Sequence, residues 1–294
     1  MLTPLMTSST LDWMIWLVAA LVSFHVLAVL AAGLAIAYPN PFRAFRKCAC
    51  PADLGLVAED VRLSSGLPGW LFTHKEATRA VLVCHGRSRS KAHMLPILAL
   101  LSERWTVLSF DFPGHGGDGY GRTTIGWREA TAVGEAIDLL EARGYNDIVV
   151  FGVSMGGAAS LLELAHRPRP AVRGLVTDGV FADLRELLRH ATARQGLPTW
   201  LQSSAIALAA GVAGYEVDWV RPVDAAGRIE TPLVVLHGDR DPLALPACGD
   251  AISKAAGTTV RHYPGGHDEP HNAAMQGLLM EAIQGFQEPS RPAD

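Results

Sequence analysis

One uncharged run dominates the beginning of the sequence, the 26 residues from Trp13 to Tyr38. A helix of this length spans roughly 39 Å at 1.5 Å per residue, which exceeds the ~30 Å hydrocarbon core of a bilayer. Trp13, Trp16 and Tyr38 lie near its ends, where amphipathic aromatic side chains favour the headgroup level. Pro39 ends the helix because proline cannot continue it. The run predicts a transmembrane helix over residues 13–38, and the remaining chain must fold outside it.

Two other interpretations of this run are weaker. A cleaved signal peptide has a basic beginning and an apolar run of about 7–15 residues, whereas residues 1–12 contain no Lys or Arg. A buried helix of a soluble protein is rarely apolar on every face. His25 lies in the middle of the run, where a functional polar site is possible, but a tolerated neutral side chain is the simpler interpretation. The sequence therefore favours a retained membrane anchor.

The charges that flank the run predict its orientation. Arg43, Arg46 and Lys47 follow it, whereas Asp12 is the only charged residue before it. Positively charged flanks stay on the cytoplasmic side. We therefore expect a single-pass membrane protein whose N-terminus lies outside and whose large C-terminal domain lies in the cytoplasm.

Composition excludes several classes of protein. The net charge of −4 argues against a nucleic-acid binder, and 49% apolar with 18% charged residues argues against disorder. The four cysteines form no CxxC pair and are too few for a disulfide framework, which fits a reducing compartment. Two of them lie where S-acylation of a membrane anchor occurs. These two are Cys48 and Cys50, and the others are Cys84 and Cys248.

From residue 55 onward, short β-rich runs alternate with helix-length segments, the pattern of an α/β sheet with helices on both faces. The strands are predicted within 57–74 (two strands) and at 80–85, 106–111, 147–153, 173–178, 232–237 and 258–263. Helices are predicted at 92–104, 124–143 and 272–286, and a further helix follows the strand at 147–153 and ends near 166. The domain boundaries are a tail at 1–12, the membrane helix at 13–38, a juxtamembrane linker at 39–54, one domain at 55–286 and a polar tail at 287–294.

A long insertion at about 184–230 interrupts the alternation. A connection between a strand and the next parallel strand needs far fewer residues, and long insertions in compact domains usually serve as lids or binding elements. We favour a small helical lid, whose apolar stretch near 200–215 would offer an entrance to an acyl chain. The alternative is a pair of packing helices with no role in recognition.

The strongest chemical signal is the segment GVSMG at 152–156, which follows a predicted strand and precedes a predicted helix. This is the context of a nucleophile elbow, a sharp turn that presents a serine hydroxyl at a helix N-terminus. The turn leaves no room for side chains two positions either side of the serine, which explains Gly152 and Gly156. The predicted nucleophile is Ser154.

A serine hydroxyl is a poor nucleophile at neutral pH, so it needs a base and an acid that orients the base. In this arrangement the acid and then the histidine follow the serine in the chain. Asp241 and His267 lie in loops after two later predicted strands, where open α/β sheets place their sites. Asp178 and Asp239 are the alternatives to Asp241 as the acid. Structural or surface roles are assigned to the remaining candidates, His85, His237, His262 and His271.

Two backbone N–H groups are expected to form the oxyanion hole. One belongs to Met155, which follows the nucleophile, and the other to Arg87, in the loop after the strand at 80–85. Gly86 permits a close approach of that loop to the serine. His85 is interpreted as a residue that orders the loop.

Five motifs in order make the chain resemble the α/β-hydrolase superfamily over residues 55–286. They are HGR at 85–87, DFPGHGG at 111–117, GVSMGG at 152–157, HGDRD at 237–241 and GGH at 265–267. The most similar branch contains enzymes like lysophospholipases, monoacylglycerol lipases and serine aminopeptidases, including membrane-anchored members. Members with an aspartate nucleophile are disfavoured, because a serine occupies the elbow. Arg87 and Arg89 depart from the smaller or aromatic residues of many relatives and would make the acyl pocket more polar.

The resemblance implies an α/β-hydrolase fold, with a mostly parallel sheet of roughly eight strands, and a serine hydrolase of carboxylic esters or thioesters. The membrane anchor favours lipid-like acyl substrates. A peptidase or amidase with the same triad, a noncatalytic scaffold and an acyltransferase are the alternatives. We expect no cofactor, no metal and no nucleic-acid partner, and no feature of the sequence sets the oligomeric state.

Overall fold

The computed structural model of the protein describes residues 8–40 and 50–286. The basic residues that predict the orientation, together with Cys48 and the predicted polar tail at 287–294, lie outside the described residues. The predicted juxtamembrane linker is therefore described only at its two ends.

Helix α1 (Ser8–Ala37) covers residues 13–37 of the predicted membrane span and begins five residues earlier than expected. Its segment Leu11–Ala37 is long and apolar enough to cross a membrane, a property that a signal sequence near an N-terminus shares. The side chains of residues 11–24 are exposed, whereas Gly33, Ile36 and Ala37 are buried against the rest of the protein. The helix thus has an uncovered first half and a second half that packs onto the domain.

An eight-stranded sheet forms the centre of the domain. Its strands are β1 (Glu59–Arg62), β2 (Pro68–Phe72), β3 (Arg79–Cys84), β4 (Thr106–Phe110), β5 (Asp147–Val153), β6 (Val172–Asp178), β7 (Leu233–Gly238) and β8 (Val260–Tyr263). The spatial order is β1-β2-β4-β3-β5-β6-β7-β8. Strand β2 runs antiparallel to both of its neighbours, and β3 to β8 are parallel to one another. The predicted mostly parallel sheet of about eight strands is confirmed.

Helices cover both faces of the sheet. They are α2 (Leu95–Ser102), α3 (Trp127–Ala142), α4 (Met155–His166), α5 (Leu184–Arg194), α6 (Thr199–Ala213), α7 (Pro222–Ala226), α8 (Pro246–Ala255) and α9 (Ala273–Gly285). Alternate residues of β3 enter opposite cores: Leu82 packs in one and Val83 in the other. Both side chains are fully buried. Because both faces of the sheet are buried, the central strands are continuous apolar runs and do not alternate apolar with polar residues.

The predicted insertion at 184–230 folds as α5, α6 and α7, and α6 lies along α1. The backbones approach closely at Gly33, where an added Cβ would lie 2.7 Å from Leu208 Cδ2 and 3.1 Å from the Ala205 carbonyl oxygen. The ring of His25 stacks on Trp200, with centroids 5.2 Å apart. The contact of His25 with Trp200 is followed, further along both helices, by the contact of Gly33 with Leu208. Helices α1 and α6 therefore run parallel to each other.

Helix α3 begins at Trp127, three residues later than the sequence predicts. The reason is the buried carboxylate of Glu129, which folds back on the preceding loop. It accepts hydrogen bonds from the Thr123 hydroxyl (2.7 Å), from the backbone N–H and hydroxyl of Thr124 (3.0 and 2.5 Å) and from the Gly126 N–H (2.9 Å). These bonds hold residues 123–126 outside the helix.

We expect Glu129→Ala to lower the melting temperature by about 5–10 °C, because four buried donors lose their acceptor. Glu135→Ala on the same helix is the matched control. Its carboxylate accepts two hydrogen bonds from Ser65 at the surface, so a shift of about 2 °C or less is expected. Circular dichroism melting in one detergent measures both, and equal shifts would contradict the role given to Glu129.

Candidate active site

Ser154 occupies the sharp turn between β5 and α4. Its backbone has φ 51° and ψ −115°, a region in which a residue with a side chain is strained. Its N–H donates to the Asp178 carbonyl at 2.8 Å, at the end of the neighbouring strand β6. The turn therefore projects the serine side chain above the carboxyl edge of the sheet.

The flanking glycines have the steric reason that the sequence predicts. A Cβ on Gly152 would lie 2.6 Å from the Gly157 backbone nitrogen. A Cβ on Gly156 would collide with the Cys84 carbonyl group of β3. A side chain at Gly152 would push α4 away from β5, and one at Gly156 would push α4 away from β3, so the turn requires glycine on both sides of Ser154.

The structure brings three of the predicted site residues into one hydrogen-bonded chain. The Nε2 atom of His267 lies 3.0 Å from Ser154 Oγ, and its Nδ1 atom lies 2.6 Å from Asp241 Oδ2. Asp241 is 2% exposed. Its other oxygen, Oδ1, accepts from the N–H groups of Leu243 (2.8 Å) and Ala244 (3.0 Å). The carboxylate is thus fixed on one side by its own loop and on the other by the histidine.

Neither alternative acid makes a hydrogen bond to His267. Asp178 accepts from the Tyr263 hydroxyl at 2.9 Å, and burial raises the pKa of its carboxyl to about 7. Asp239 accepts from the Gly265 N–H at 3.1 Å and is half-exposed. Asp241 is the acid that lies next to His267 Nδ1, because the loop that follows β7 turns back and brings its carboxylate to the ring.

The environment of His267 makes its ring more basic than that of an ordinary histidine. Burial of the ring opposes protonation, but the hydrogen bond and charge of Asp241, together with the charges of Asp268 and Asp178, raise the pKa of His267 above its usual value. The hydrogen-bond pattern assigns the neutral tautomer. Nδ1–H donates to Asp241, and the Nε2 lone pair faces the Ser154 hydroxyl.

His85 and His237 take supporting positions. The buried His85 accepts from the Phe112 N–H at 3.1 Å and donates to the Gly86 carbonyl at 2.8 Å. Burial lowers the pKa of His85 to about 3, so the ring stays neutral. His237 donates to the Ala244 carbonyl at 2.7 Å and so braces the loop that carries the acid.

Gly179 is a site residue that the sequence reasoning missed. It follows β6 with φ 60°. An added Cβ would lie 3.3 Å from Asp241 Oδ2 and 3.4 Å from His267 Nδ1. A glycine directly after a predicted strand was the available signal, but nothing local shows that the acid and the base pack against it.

Met155 and Arg87, the residues predicted to form the oxyanion hole, lie on the side of Ser154 away from the loops that carry Asp241 and His267. Met155 is the first residue of α4, so its N–H belongs to the unpaired first turn of the helix. A Cβ on Gly86 would lie 3.5 Å from Ser154 Cβ, which shows how closely this loop passes the serine. The side chain of Arg87 bonds to α1, whereas Arg89 pairs with Asp268 at 2.6 Å beside the serine.

A cavity of about 150 Å³ opens beside Ser154. It is lined by Gly86, Arg87, Arg89, Ile125, Ser154, Phe181, Leu187, Leu188, Ala191, Leu243, His267 and Asp268. Helix α5 supplies three of the apolar side chains. Helix α6, which carries most of the apolar stretch near 200–215, lies along α1 and contributes none of the lining residues. The insertion therefore covers the site with its first helix and packs on α1 with its second.

The sequence was compared with protein-family models and with curated proteins. The model of the Alpha/beta hydrolase family matches residues 81–279. No curated protein matches the sequence.

Solved structures with the same fold include esterases and a phospholipase. An esterase from Pyrococcus furiosus has a TM-score of 0.68 and 21% identity, with 85% of this chain and 100% of that chain covered. A bacterial membrane phospholipase A has a TM-score of 0.58 and 17% identity, with 96% and 100% covered. An esterase from Rhodococcus sp. has a TM-score of 0.58 and 15% identity, with 79% and 100% covered. At these identities the likeness shows the fold, and the predicted α/β-hydrolase fold is confirmed.

We expect the pKa of His267 to lie above its usual value and to fall in Asp241→Asn, because the ring loses its hydrogen-bonded negative partner. Asp178→Asn is the matched control, since its carboxyl makes no hydrogen bond to the ring. NMR titration of ¹³C-labelled histidine measures the shift, with His267→Gln to assign the signal. A larger fall in Asp178→Asn than in Asp241→Asn would transfer the orienting role to Asp178.

Proposed function

This chain belongs to the α/β-hydrolase family, and we propose that it is a serine hydrolase of carboxylic esters or thioesters. The observation that carries the proposal is the hydrogen-bonded chain from Ser154 through His267 to Asp241, with distances of 3.0 and 2.6 Å. It lies beside a cavity that has an apolar wall, at the carboxyl edge of the sheet, where α/β folds place their ligands.

The reaction would use each group in a distinct role. His267 Nε2 takes the proton of the Ser154 hydroxyl while Oγ attacks the acyl carbon, and the resulting imidazolium is stabilised by Asp241. The backbone N–H groups of Met155 and Arg87 stabilise the oxyanion of the tetrahedral intermediate. Its collapse expels the alcohol or thiol, which receives the proton from His267. Water then attacks the acyl-enzyme by the same steps and releases the acid.

The apolar wall that α5 forms supports an acyl substrate, and the cavity volume of about 150 Å³ limits what enters without movement. A short acyl group fits this space, but a long chain requires displacement of α5, whose Leu187, Leu188 and Ala191 form one wall. We therefore propose that α5 acts as the movable part of a lid.

The geometry of α1 supports a substrate that is dissolved in a membrane. Its uncovered part, residues 11–24, is about 21 Å long, shorter than the ~30 Å hydrocarbon core. A bilayer that covers the apolar helix would therefore reach the level of Trp200, and α6 carries no charged residue along its length. The lid would then lie at the membrane, and a phospholipase is among the structural neighbours.

We further propose that α1 is a retained anchor and that the catalytic domain lies on the cytoplasmic side. Retention is supported by the buried end of α1, whose carbonyl groups accept hydrogen bonds from the domain. The orientation is supported by the basic residues at 43–47 and by the single acidic residue Asp12 before the span.

Ser154→Ala and His267→Ala should each reduce hydrolysis of p-nitrophenyl butyrate by about 10⁴-fold or more, since the two groups act as a unit. Labelling of the full chain by a fluorophosphonate should disappear in Ser154→Ala. Ser203→Ala, on the exposed face of α6, should label like the wild type. Full activity in Ser154→Ala would remove the serine-hydrolase proposal, and faster cleavage of aminoacyl p-nitroanilides than of esters would indicate a peptidase.

The lipid proposal predicts that kcat/KM rises with acyl length in the full chain, by up to roughly 0.8 kcal/mol per buried methylene. Leu187→Asn should reduce the ratio between C12 and C4 esters, because it places a polar group in the wall formed by α5. Leu245→Asn, at an exposed position outside the cavity, should preserve the ratio. An equal kcat/KM across chain length in the wild type would refute the lipid preference and leave a general esterase.

A further inference from the structure

The loop that follows β3 holds the C-terminal end of α1. The Nη2 atom of Arg87 lies 2.8–2.9 Å from three carbonyl oxygens, those of Ala35, Ile36 and Tyr38, which share its two N–H donors. The last carbonyls of a helix lack partners within the helix and carry the negative end of its dipole. A guanidinium at this position therefore satisfies the end of α1, and α1 in turn fixes the guanidinium.

The next residue of the same loop makes a second connection. Ser88 Oγ accepts from the Asn40 N–H at 2.8 Å, just beyond the end of α1. Ser88 is buried and has φ 60°, a left-handed conformation that costs free energy for a residue with a side chain. Such a conformation persists only where its surroundings hold it. The exit of α1 supplies one of those contacts.

A second loop beside the cavity is joined to the same helix end. The Thr123 N–H donates to the Ala37 carbonyl at 2.9 Å. Two residues later Ile125 lines the cavity with φ 52°. Both strained loops that border Ser154 on this side therefore rest on the last turn of α1.

This arrangement matters because the backbone N–H of Arg87 is the proposed second oxyanion donor. Such a donor acts only when it lies 2.7–3.1 Å from the position that the oxyanion occupies, and loss of one donor typically costs 10²–10³ in kcat. We infer that the C-terminal end of α1 positions the oxyanion hole, with the Arg87 side chain as the positioning residue that joins them. The inference rests on the proposed function and adds a catalytic role to a helix whose composition indicates only an anchor.

The consequence is a coupling between the membrane helix and the chemistry. Displacement of α1 from the domain would leave the guanidinium without its three acceptors and release the loop that carries the donor. The enzyme would then bind substrate but stabilise the tetrahedral intermediate less well. The defect would appear on short soluble esters as well as on lipids, which separates it from a loss of membrane targeting.

The test uses the full chain in one detergent and compares Arg87→Met with the wild type. The substitution removes the guanidinium and keeps the backbone N–H. On p-nitrophenyl butyrate, kcat should fall by about 10- to 100-fold, while KM changes by about threefold or less. Affinity for butaneboronic acid, which forms a tetrahedral adduct on the serine, should fall by a factor similar to that of kcat. Arg87→Lys keeps a cation at the helix end and should recover part of both losses.

Arg122→Met is the matched control, because Arg122 also caps a helix end, donating to the Val212 carbonyl of α6 at 2.7 Å. Its kcat and boronate affinity should stay within about twofold of the wild type. Gly33→Leu should reproduce part of the Arg87→Met defect from a distance, since its side chain separates α1 from α6. If Arg87→Met does not fold, Ser88→Ala takes its place, with a loss of kcat at constant KM as the expected result.

The outcomes separate the two proposals. If Arg87→Met, or Ser88→Ala in its place, matches Arg122→Met in kcat and boronate affinity, the coupling is wrong and the esterase stands. A loss confined to KM also overturns the coupling. If the wild type shows no hydrolysis that depends on Ser154, the proposed function itself fails.

Discussion

At Ser154 the chain passes from β5 into α4 with a left-handed backbone, and the rest of the site is arranged around this turn. The conformation persists because Gly152 and Gly156 have no side chains that would collide with neighbouring backbone. It also depends on the hydrogen bond from the Ser154 N–H to the end of β6. The turn sets where the hydroxyl lies, and the base, the acid and the cavity are defined relative to that point.

Two kinds of support hold the partners of Ser154. On one side, loops after β6, β7 and β8 form a buried polar network in which Asp241 binds both its own loop and His267. On the other side, the loop after β3 passes the serine at Gly86 and is held from outside by the end of α1. A helix that membrane criteria alone would treat as an anchor thus supports, from outside, a loop that borders the site.

The insertion between β6 and β7 connects these features to the proposed membrane anchor. Its first helix, α5, closes the cavity with apolar side chains, while α6 follows α1 through the His25–Trp200 stack and the close approach at Gly33. Apolar cavity walls favour acyl groups because burial of each methylene is favourable. The proposed lid and the proposed anchor therefore form one packed unit, and the proposed lipid preference follows from their shared position.

The sequence alone determined the strands, the elbow and the chain order of Ser154, Asp241 and His267, because apolar runs, glycine spacing and turn residues act between near neighbours in the chain. It left Asp178, Asp239 and Asp241 as competing acids, since all three lie at or after the ends of adjacent strands. Only the folded loops place Asp241 at 2.6 Å from the ring. Likewise, Arg87 was visible as a charge near the site, but its partners lie about 50 residues earlier in the chain. Contacts at such separation depend on how helices and strands pack together, which local sequence patterns do not encode.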